Sequence, residues 1–205
     1  MFVGEFKLVA YNILITGGAG YIGSLLAFKL IKHGHNITIY DCFYYENFQS
    51  LPILDNMLTK NIGVEAGLLE EVSFEKKLNF KNFKFIEGDI RDKEKVESLF
   101  KEKRFDFIFH FADLVGYYAC EKDPKLTKEI NFGGTKIVTD LVNKYGGVLI
   151  YNSSSSVYGF RKNPRVLNEN AKLPILANMD NYCLNKVLVE QYIIKVAGEN
   201  PDFRY

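Results

Sequence analysis

The stretch Asn12-Ile13-Leu14-Ile15-Thr16-Gly17-Gly18-Ala19-Gly20-Tyr21-Ile22-Gly23 decides the fold. It begins with an apolar run typical of a buried parallel strand, and apolar residues recur at helical spacing from Ile22 to Leu30. Between such a strand and helix, the first glycine permits a sharp turn, the second lets backbone N–H groups approach a diphosphate, and the third lets the helix pack closely on the sheet. A glycine-rich turn without a ligand is the alternative, and the strand–loop–helix context disfavours it. The sequence therefore predicts a dinucleotide site at the helix N-terminus, with these contacts: Gly17, Gly20, Tyr21, Ile22 and Gly23.

The cofactor type is indicated by Asp41, which follows the second apolar run and lies 18 residues beyond Gly23. A carboxylate at this position can accept hydrogen bonds from the adenosine ribose hydroxyls, and it repels a 2′-phosphate. We therefore expect NAD rather than NADP. The alternative is an ordinary solvated aspartate at the end of a strand.

The rest of the chain alternates between apolar runs and helical patterns. The further strands are predicted at Ile37–Tyr40, Phe83–Ile86, Phe107–Phe111 and Val148–Tyr151, and the further helices at Lys93–Lys103, Asp123–Tyr145 and Asp180–Val196. This alternation predicts an α/β fold, a Rossmann-type doubly wound parallel sheet with helices on both faces. Residues 42–82 exceed what one crossover needs, and Leu68–Leu78 has the pattern of an additional helix. Residues 159–179 read as an irregular loop.

Composition excludes several classes of protein. The 205 residues suit one domain, and 26 Lys and Arg against 25 Asp and Glu give a net charge of +1. Such a balance argues against a nucleic-acid or membrane-surface partner. Three widely spaced cysteines suggest neither a disulfide framework nor a metal site. No signal peptide is evident, so we expect a cytoplasmic protein with reduced thiols.

A candidate catalytic group occurs on the last predicted helix. Tyr182 and Lys186 are four residues apart and therefore share one face. An ammonium near a phenol lowers the tyrosine pKa, which suits a general acid or base. Residues Ser153–Ser156 follow the fifth strand, so their hydroxyls reach the carboxyl edge of the sheet. A chance Tyr/Lys pair and a serine-rich turn are the alternatives, and the joint order of the motifs disfavours them.

The chain resembles the extended short-chain dehydrogenases/reductases, in their NAD-dependent epimerase/dehydratase branch. The resemblance extends over nearly the whole chain, and its motifs occur in the order and spacing of that family. They are Thr16–Gly23, Gly88-Asp89-Ile90-Arg91-Asp92, His110-Phe111-Ala112, Asn131-Phe132-Gly133-Gly134-Thr135, Ser153–Gly159 and Tyr182–Lys186.

The resemblance implies roles for individual residues. Tyr182 corresponds to the catalytic acid/base, and Lys186 to the partner that lowers its pKa and holds the nicotinamide ribose. Ser154 corresponds to the catalytic serine, with Ser155 as the alternative because the serine-rich turn permits a register error of one. The remaining cofactor positions are Asp89 and Ile90 around the adenine, Phe111 and Ala112 along the cofactor, and Asn131 as a cofactor-side or structural asparagine.

Departures from the family pattern refine the expected activity. Asp113 stands where the family commonly has alanine or glycine, and Val115 where some sugar epimerases have a lysine. Ser155 and Ser156 replace the Asp-Glu pair of the 4,6-dehydratases, so a dehydratase is disfavoured. We expect an NAD-dependent nucleotide-sugar epimerase. The alternatives are a one-way nucleotide-sugar dehydrogenase, reductase or decarboxylase, and a non-catalytic NAD-binding module.

Domain organisation and assembly follow from the same resemblance. Members of the family continue into a sixth strand and a smaller substrate-binding domain. We therefore expect residues 1–205 to be the NAD-binding Rossmann domain with the catalytic Tyr/Lys helix, and the substrate domain to be absent. The helices of 123–145 and 180–196 are apolar on more than one face. In the family such helices form a four-helix bundle, which predicts a homodimer.

Overall fold

A parallel five-stranded sheet forms the centre of the computed structural model, which describes residues 9–47, 50, 82–159, 167–171, 176 and 179–205. Its strands are β1 (Asn12–Thr16), β2 (Asn36–Asp41), β3 (Phe83–Glu87), β4 (Phe107–His110) and β5 (Val148–Tyr151). All five agree with the sequence prediction to within one residue at each end. The additional helix predicted at Leu68–Leu78 and much of the predicted loop at 159–179 lie outside the described residues.

The strand order is β3-β2-β1-β4-β5, and every neighbouring pair is parallel. The chain therefore moves outward from β1 in one direction and then returns to continue from β1 in the other. This reversal places a crevice at the carboxyl ends of β1 and β4, where α/β sheets bind ligands. Beyond β5, Arg204 forms an isolated parallel bridge with Val148.

The helices cover both faces of this sheet. They are α1 (Tyr21–Lys32), α2 (Lys93–Glu102), α3 (Tyr117–Lys122), a long α4 made of three consecutive segments (Pro124–Thr127, Lys128–Gly134 and Thr135–Tyr145), and α5 (Asn181–Glu199). Aspartates begin three of them: Asp92, Asp123 and Asp180 each accept a hydrogen bond from a backbone N–H in the first turn. The predicted Rossmann-type doubly wound sheet is confirmed.

The side chains of β1 point alternately to the two faces of the sheet and pack in two separate hydrophobic cores. Ile13 and Ile15 pack with α1 on one face, whereas Leu14 packs with residues of α2, α4 and α5 on the other. The buried face of α1 is not the one formed by its large apolar residues. Its buried residues include Gly23 and Ala27, while larger apolar side chains on the same helix, such as Ile22 and Leu25, are exposed.

Two local features were not evident from the sequence. The middle segment of α4, Lys128–Gly134, is a π-helix, and the short helix α3 precedes α4. A π-helical turn adds a residue to the helical repeat and so re-aims the side chains that it carries, often at functional sites. Here it carries Asn131, which is fully buried.

A buried histidine connects the sheet to α4. The ring of His110 lies 2.6 Å from the Thr16 hydroxyl and 2.9 Å from the Thr135 hydroxyl, so it joins β1, β4 and α4. Burial, with the nearby Lys186 ammonium, lowers the pKa of His110 to about 3. The ring is therefore neutral near pH 7 and acts as a structural cross-link.

Within the described residues, no helix has both the length and the apolar character needed to cross a membrane.

Candidate active site

The glycine loop between β1 and α1 is held in a conformation that requires its glycines. Gly17 has φ +67°, and a Cβ there would lie 2.6 Å from the carbonyl carbon of Phe111. A Cβ on Gly23 would lie 2.6 Å from the Gly17 oxygen. The first glycine thus permits the turn against the end of β4, and the third permits close packing of the helix on the loop.

Asp41 lies directly beside this loop at the end of β2. Its carboxylate accepts a 2.9 Å hydrogen bond from the Ala19 N–H and a 2.8 Å bond from the Phe43 N–H. Burial raises the pKa of Asp41, and the backbone hydrogen bonds oppose that rise. Asp41 is therefore a fixed anchor of the loop rather than an ordinary solvated side chain, and each carboxylate oxygen keeps a lone pair for a further donor.

A cavity of about 440 Å³ opens above the carboxyl ends of the central strands. Ten of the residues predicted to bind the cofactor line it: Gly17, Gly20, Tyr21, Ile22, Gly23, Asp41, Asp89, Ile90, Phe111 and Ala112. Its walls also include residues that the sequence analysis did not assign to the cofactor, among them Tyr40, Tyr44, Tyr45, Asn47, Asp113, Leu114 and Asn152. The aromatic residues after β2 had no recognisable motif, so only the fold brings them here.

Asp89 and Ile90, predicted around the adenine, differ in how they are held. Arg91 binds the Asp89 carboxylate at 2.6 Å and also contacts Glu129 at 3.2 Å. The hydrogen bonds from Arg91 lower the pKa of Asp89. Ile90 is 4% exposed and packs against Gly134. A Cβ added to Gly134 would lie 2.6 Å from a methyl group of Ile90. The π-helix thus passes close behind this wall of the cavity.

Asn131 lies behind the cavity wall rather than in it. Its side-chain oxygen accepts a 2.8 Å hydrogen bond from the Leu114 N–H, and its amide donates a 2.9 Å bond to the Leu114 carbonyl. The side chain therefore acts like a neighbouring strand and fixes the segment after β4. Of the two roles left open for Asn131, this geometry is that of the structural asparagine.

Ser154 and Tyr182, predicted as a catalytic pair, lie close enough for the Ser154 hydroxyl to act on the phenol of Tyr182 and oppose the rise of its pKa on burial. Ser154 begins a short 3₁₀ turn, and its hydroxyl accepts a 3.2 Å hydrogen bond from the Ser156 N–H. The neighbouring serines point elsewhere, since Ser153 donates to Glu190 and Ser155 is exposed. The local geometry thus favours Ser154 over Ser155.

Lys186 lies one turn along α5 and is only 1% exposed. Its ammonium donates one 2.5 Å hydrogen bond to the Asp113 carboxylate and another to the Asn152 carbonyl. The same nitrogen lies 4.6 Å from the centre of the Tyr151 ring and 5.8 Å from that of Tyr182. An ammonium has three N–H donors, so one remains for a further acceptor.

The acidity of Tyr182 differs from the expectation based on sequence. A lysine beside a tyrosine was expected to lower the pKa of the phenol, yet the pKa of Tyr182 is raised. Burial is the largest cause, the Ser154 hydroxyl opposes it, and the negative charge of Asp113 adds to the rise. Burial and the Asp113 carboxylate both act against the lower pKa expected from the lysine, and the Tyr/Lys spacing alone could not reveal either.

Unpaired polar atoms concentrate around this lysine. In the described part of the chain, three buried side-chain atoms lack a hydrogen-bond partner: Asp113 Oδ1, Tyr151 Oη and Asn185 Oδ1. Two belong to residues that contact the Lys186 ammonium, and the third to the residue before it. Such groups carry a free-energy cost, and native proteins retain them mainly at functional sites or where water binds.

Other chemistry has little support in the described residues. There, no three His, Cys, Asp or Glu side chains are grouped so that they could hold a metal ion. Cys183 directly follows Tyr182 in the chain, and burial together with Asp180 raises its pKa to about 11. Its sulfur is therefore a thiol near pH 7 and a poor nucleophile.

The strand order and the glycine loop define a dinucleotide-binding α/β protein. Within that class, the chain belongs to the NAD dependent epimerase/dehydratase family, whose model matches residues 13–205. The resemblance inferred from the motifs is thereby confirmed, and the family is one of NAD-dependent enzymes.

Named relatives are sugar-nucleotide epimerases. The chain is 31% identical to UDP-glucose 4-epimerase 3 of Oryza sativa subsp. japonica, over 94% of this chain and 46% of that protein. It is 27% identical to a UDP-glucose 4-epimerase of Neisseria meningitidis, over 93% of this chain and 49% of that protein. The chain thus spans about half the length of these relatives.

Solved structures of epimerases superpose on this chain as well. The UDP-Glc/GlcNAc 4-epimerase of Campylobacter jejuni superposes with a TM-score of 0.76 at 26% identity, covering 95% of this chain and 51% of that one. The UDP-glucose-4-epimerase of Stenotrophomonas maltophila, solved with NAD and formylated UDP-arabinopyranose, gives 0.74 at 26% identity, covering 94% and 50%.

Proposed function

We propose that this chain supplies the NAD-binding and catalytic part of a nucleotide-sugar epimerase. The observation that carries the proposal is the grouping of Ser154, Tyr182 and Lys186, in which the Ser154 hydroxyl acts on the Tyr182 phenol and the Lys186 ammonium lies 5.8 Å from the centre of the Tyr182 ring. This group lies next to the cavity at the carboxyl edge of the sheet, since Asn152 and Asp113 line that cavity and both accept hydrogen bonds from Lys186. UDP-glucose is the substrate that the named relatives suggest.

The residues present fit NAD. The loop at Gly17 leaves no room for a side chain and can approach a diphosphate with its backbone. Asp41 is fixed in place with acceptor capacity for ribose hydroxyls, and it lines the same cavity as Asp113 and Asn152, which bind the Lys186 ammonium. The carboxylate that binds this ammonium also carries a buried acceptor, Asp113 Oδ1, that has no hydrogen-bond partner among the residues described. When bound, NAD supplies a hydride acceptor that later returns the hydride.

Each catalytic side chain has a defined task in this proposal. Tyr182 takes the proton from a sugar hydroxyl as the carbon beneath it is oxidised, and returns the proton when that carbon is reduced on its other face. Ser154 hydrogen-bonds the reacting oxygen and so stabilises the charge that develops there. Lys186 favours the phenolate form of Tyr182 and offers its third N–H to a ribose hydroxyl.

Assembly into a homodimer through α4 and α5 remains part of the proposal. Within the chain, many of the apolar residues on these helices are already buried, for example Ile130, Val138 and Ile193. The support for a further interface is the surface that remains, where Ile194 is 58% exposed and Leu188 is half-buried. Sedimentation of the full-length protein at micromolar concentration tests this directly, and a monomer mass contradicts the dimer.

The decisive experiment compares full-length native protein with Tyr182→Phe, using UDP-glucose and measuring its C4 epimer. We expect turnover to fall by about 100-fold or more, while NAD remains bound. Tyr205→Phe is the matched control, because it removes a phenol hydroxyl from a residue that is 62% exposed and follows Arg204, which pairs with Val148 at the start of β5. Near-normal turnover in Tyr182→Phe contradicts the assignment. Net accumulation of reduced cofactor in the native protein indicates a one-way oxidoreductase instead.

A further inference from the structure

Asp113 differs from the other carboxylates that line the cavity. Asp41 is held by two backbone N–H groups and Asp89 by the Arg91 guanidinium. The Asp113 side chain is 4% exposed, and its contact is the Lys186 ammonium, 2.5 Å from Oδ2. Its other oxygen, Oδ1, has no hydrogen-bond partner within the described residues. The charge of Asp113 is thus buried and only half compensated.

Stability does not account for this arrangement. Burying a carboxylate and an ammonium is costly, and the pair repays that cost only when the remaining lone pairs and protons are also satisfied. Among the described residues, one oxygen of the Asp113 carboxylate has no hydrogen-bond partner. The pair is therefore a poor stabilising device, and the geometry fits a role toward Lys186 better than a role in folding.

The contact has two consequences for Lys186. First, Asp113 and the Asn152 carbonyl together fix the direction of the ammonium, because each takes one of its N–H donors. Second, a negative charge at hydrogen-bond distance cancels much of the positive charge that Tyr182 experiences from 5.8 Å. The raised pKa of Tyr182, with Asp113 among its causes, agrees with this cancellation.

Resting on the proposed function, we propose that Asp113 is a positioning residue that binds the Lys186 ammonium and thereby sets how much of its positive charge acts on Tyr182. The phenol of Tyr182 then stays protonated to higher pH than it would beside an unpaired lysine. Removing the charge of Asp113 should release the effect of Lys186 and make Tyr182 more acidic.

Other titratable groups near the pair do not supply this effect. Facing it are His110 of β4, Tyr151 of β5, Cys120 of α3 and Tyr45 after β2, and each is neutral near pH 7 because burial lowers the pKa of the histidine and raises that of the other three. On α5 itself, Cys183 is also neutral, and Glu190 accepts a hydrogen bond from Ser153. Asp180 caps the helix and contacts Cys183. Asp113 is itself among the causes that raise the pKa of Tyr151, Cys120 and Tyr45, so the titration must isolate Tyr182 from these groups.

The test is a titration of Tyr182 by the ultraviolet absorbance of tyrosinate in the full-length protein. Native protein minus Tyr182→Phe isolates this one phenol, and Asp113→Asn minus Asp113→Asn/Tyr182→Phe isolates it without the charge. We expect the midpoint to fall by about one pH unit or more in the Asn background. An unchanged or higher midpoint overturns the proposal.

Matched variants separate charge from structural damage. Glu102→Gln removes a carboxylate from an exposed lysine pair, 2.7 Å from Lys84, and should leave the midpoint unchanged. Asp113→Glu keeps the charge and should retain a midpoint near the native one, and a fall equal to that of Asp113→Asn overturns the proposal. Should Asp113→Asn not fold, Asp113→Ala carries the same expectation. The titration needs no substrate, so its failure and a failure of epimerase activity are distinguishable.

Discussion

The Asp113 carboxylate and the Lys186 ammonium lie 2.5 Å apart, with side chains 4% and 1% exposed. The two residues are 73 positions apart in the chain. Asp113 follows β4, Lys186 lies on α5, and the parallel pairing of β4 with β5 brings them together. An ion pair so deeply buried makes each partner depend on the other, because either charge alone would be desolvated without compensation.

This dependence predicts a strongly non-additive pair of substitutions. Lys186→Met alone should lower the free energy of unfolding by about 3 kcal/mol, because it leaves the Asp113 carboxylate buried and unpaired. Asp113→Leu/Lys186→Met should recover most of that loss, since both charges are then gone. Urea unfolding of the two variants and of Asp113→Leu measures the coupling. Losses that simply add would show that the pair is not buried as the structure has it.

The pH dependence of stability gives a second test of the same carboxylate. Burial raises the pKa of Asp113 from 3.8 to about 6, against the effect of Lys186. Between these values the native state binds more protons than the unfolded chain, so the contribution of Asp113 to stability is complete below about pH 4 and is lost as pH rises through about 6. Native protein should therefore lose up to about 3 kcal/mol relative to Asp113→Asn across this window. Parallel pH profiles for the two proteins would contradict the raised pKa.

Local pattern was sufficient to predict the framework of the fold. Apolar runs predicted β1 to β5, since buried parallel strands are continuously apolar. It was harder to predict which face of each helix is buried. In α1 the close approach of helix to sheet needs small residues, so Ala27 is buried while Leu25 is exposed. The π-helical turn carries Asn131, whose side chain hydrogen-bonds the backbone of Leu114, a contact between distant segments that no local pattern predicts.

The candidate site, like the fold, was predictable only where local sequence pattern determines the position of a residue. Residues on the glycine loop and at strand ends were predictable because their spacing along the chain fixes their place in space. The contact between Asp113 and Lys186 was not, although Asp113 had been noted as a departure from the family pattern. Its effect on Tyr182 depends on burial and on a distance between distant segments, and both arise only when the sheet is assembled.

The choice between neighbouring serines predicts a contrast in turnover. Ser154→Ala removes the hydroxyl that acts on the Tyr182 phenol and should lower turnover of UDP-glucose by about 100-fold. Ser155→Ala changes an exposed side chain in the same turn and should leave turnover within about twofold of native. The measurement is epimer formation at saturating substrate in the full-length protein. A larger loss in Ser155→Ala would reverse the assignment.

Cofactor preference should depend on Asp41. Asp41→Asn removes the negative charge beside the ribose position while keeping an acceptor for one of its two backbone partners. We expect the Kd for NAD to rise and the Kd for NADP to fall, narrowing their ratio by about tenfold. Titration of the full-length protein with each cofactor measures this. Asp106 accepts a hydrogen bond from the Asn12 N–H at the other end of the sheet. Asp106→Asn is therefore the control, and it should leave the ratio of the two Kd values unchanged.

The turn at Gly17 predicts a difference between two glycines of similar backbone conformation. Gly17 and Gly34 both have positive φ, +67° and +82°, but a Cβ on Gly17 would lie 2.6 Å from Phe111, whereas a Cβ on Gly34 would have nothing within 4 Å. Gly34→Ala should therefore cost only the backbone strain, about 1 kcal/mol, and leave NAD binding intact. Gly17→Ala must also displace the end of β4, so we expect a loss of about 3 kcal/mol or more and weaker NAD binding. Thermal unfolding and NAD titration of the two variants measure both effects. Equal losses would mean that the loop does not press against Phe111, and the cavity would then lack the tight backbone approach that a diphosphate requires.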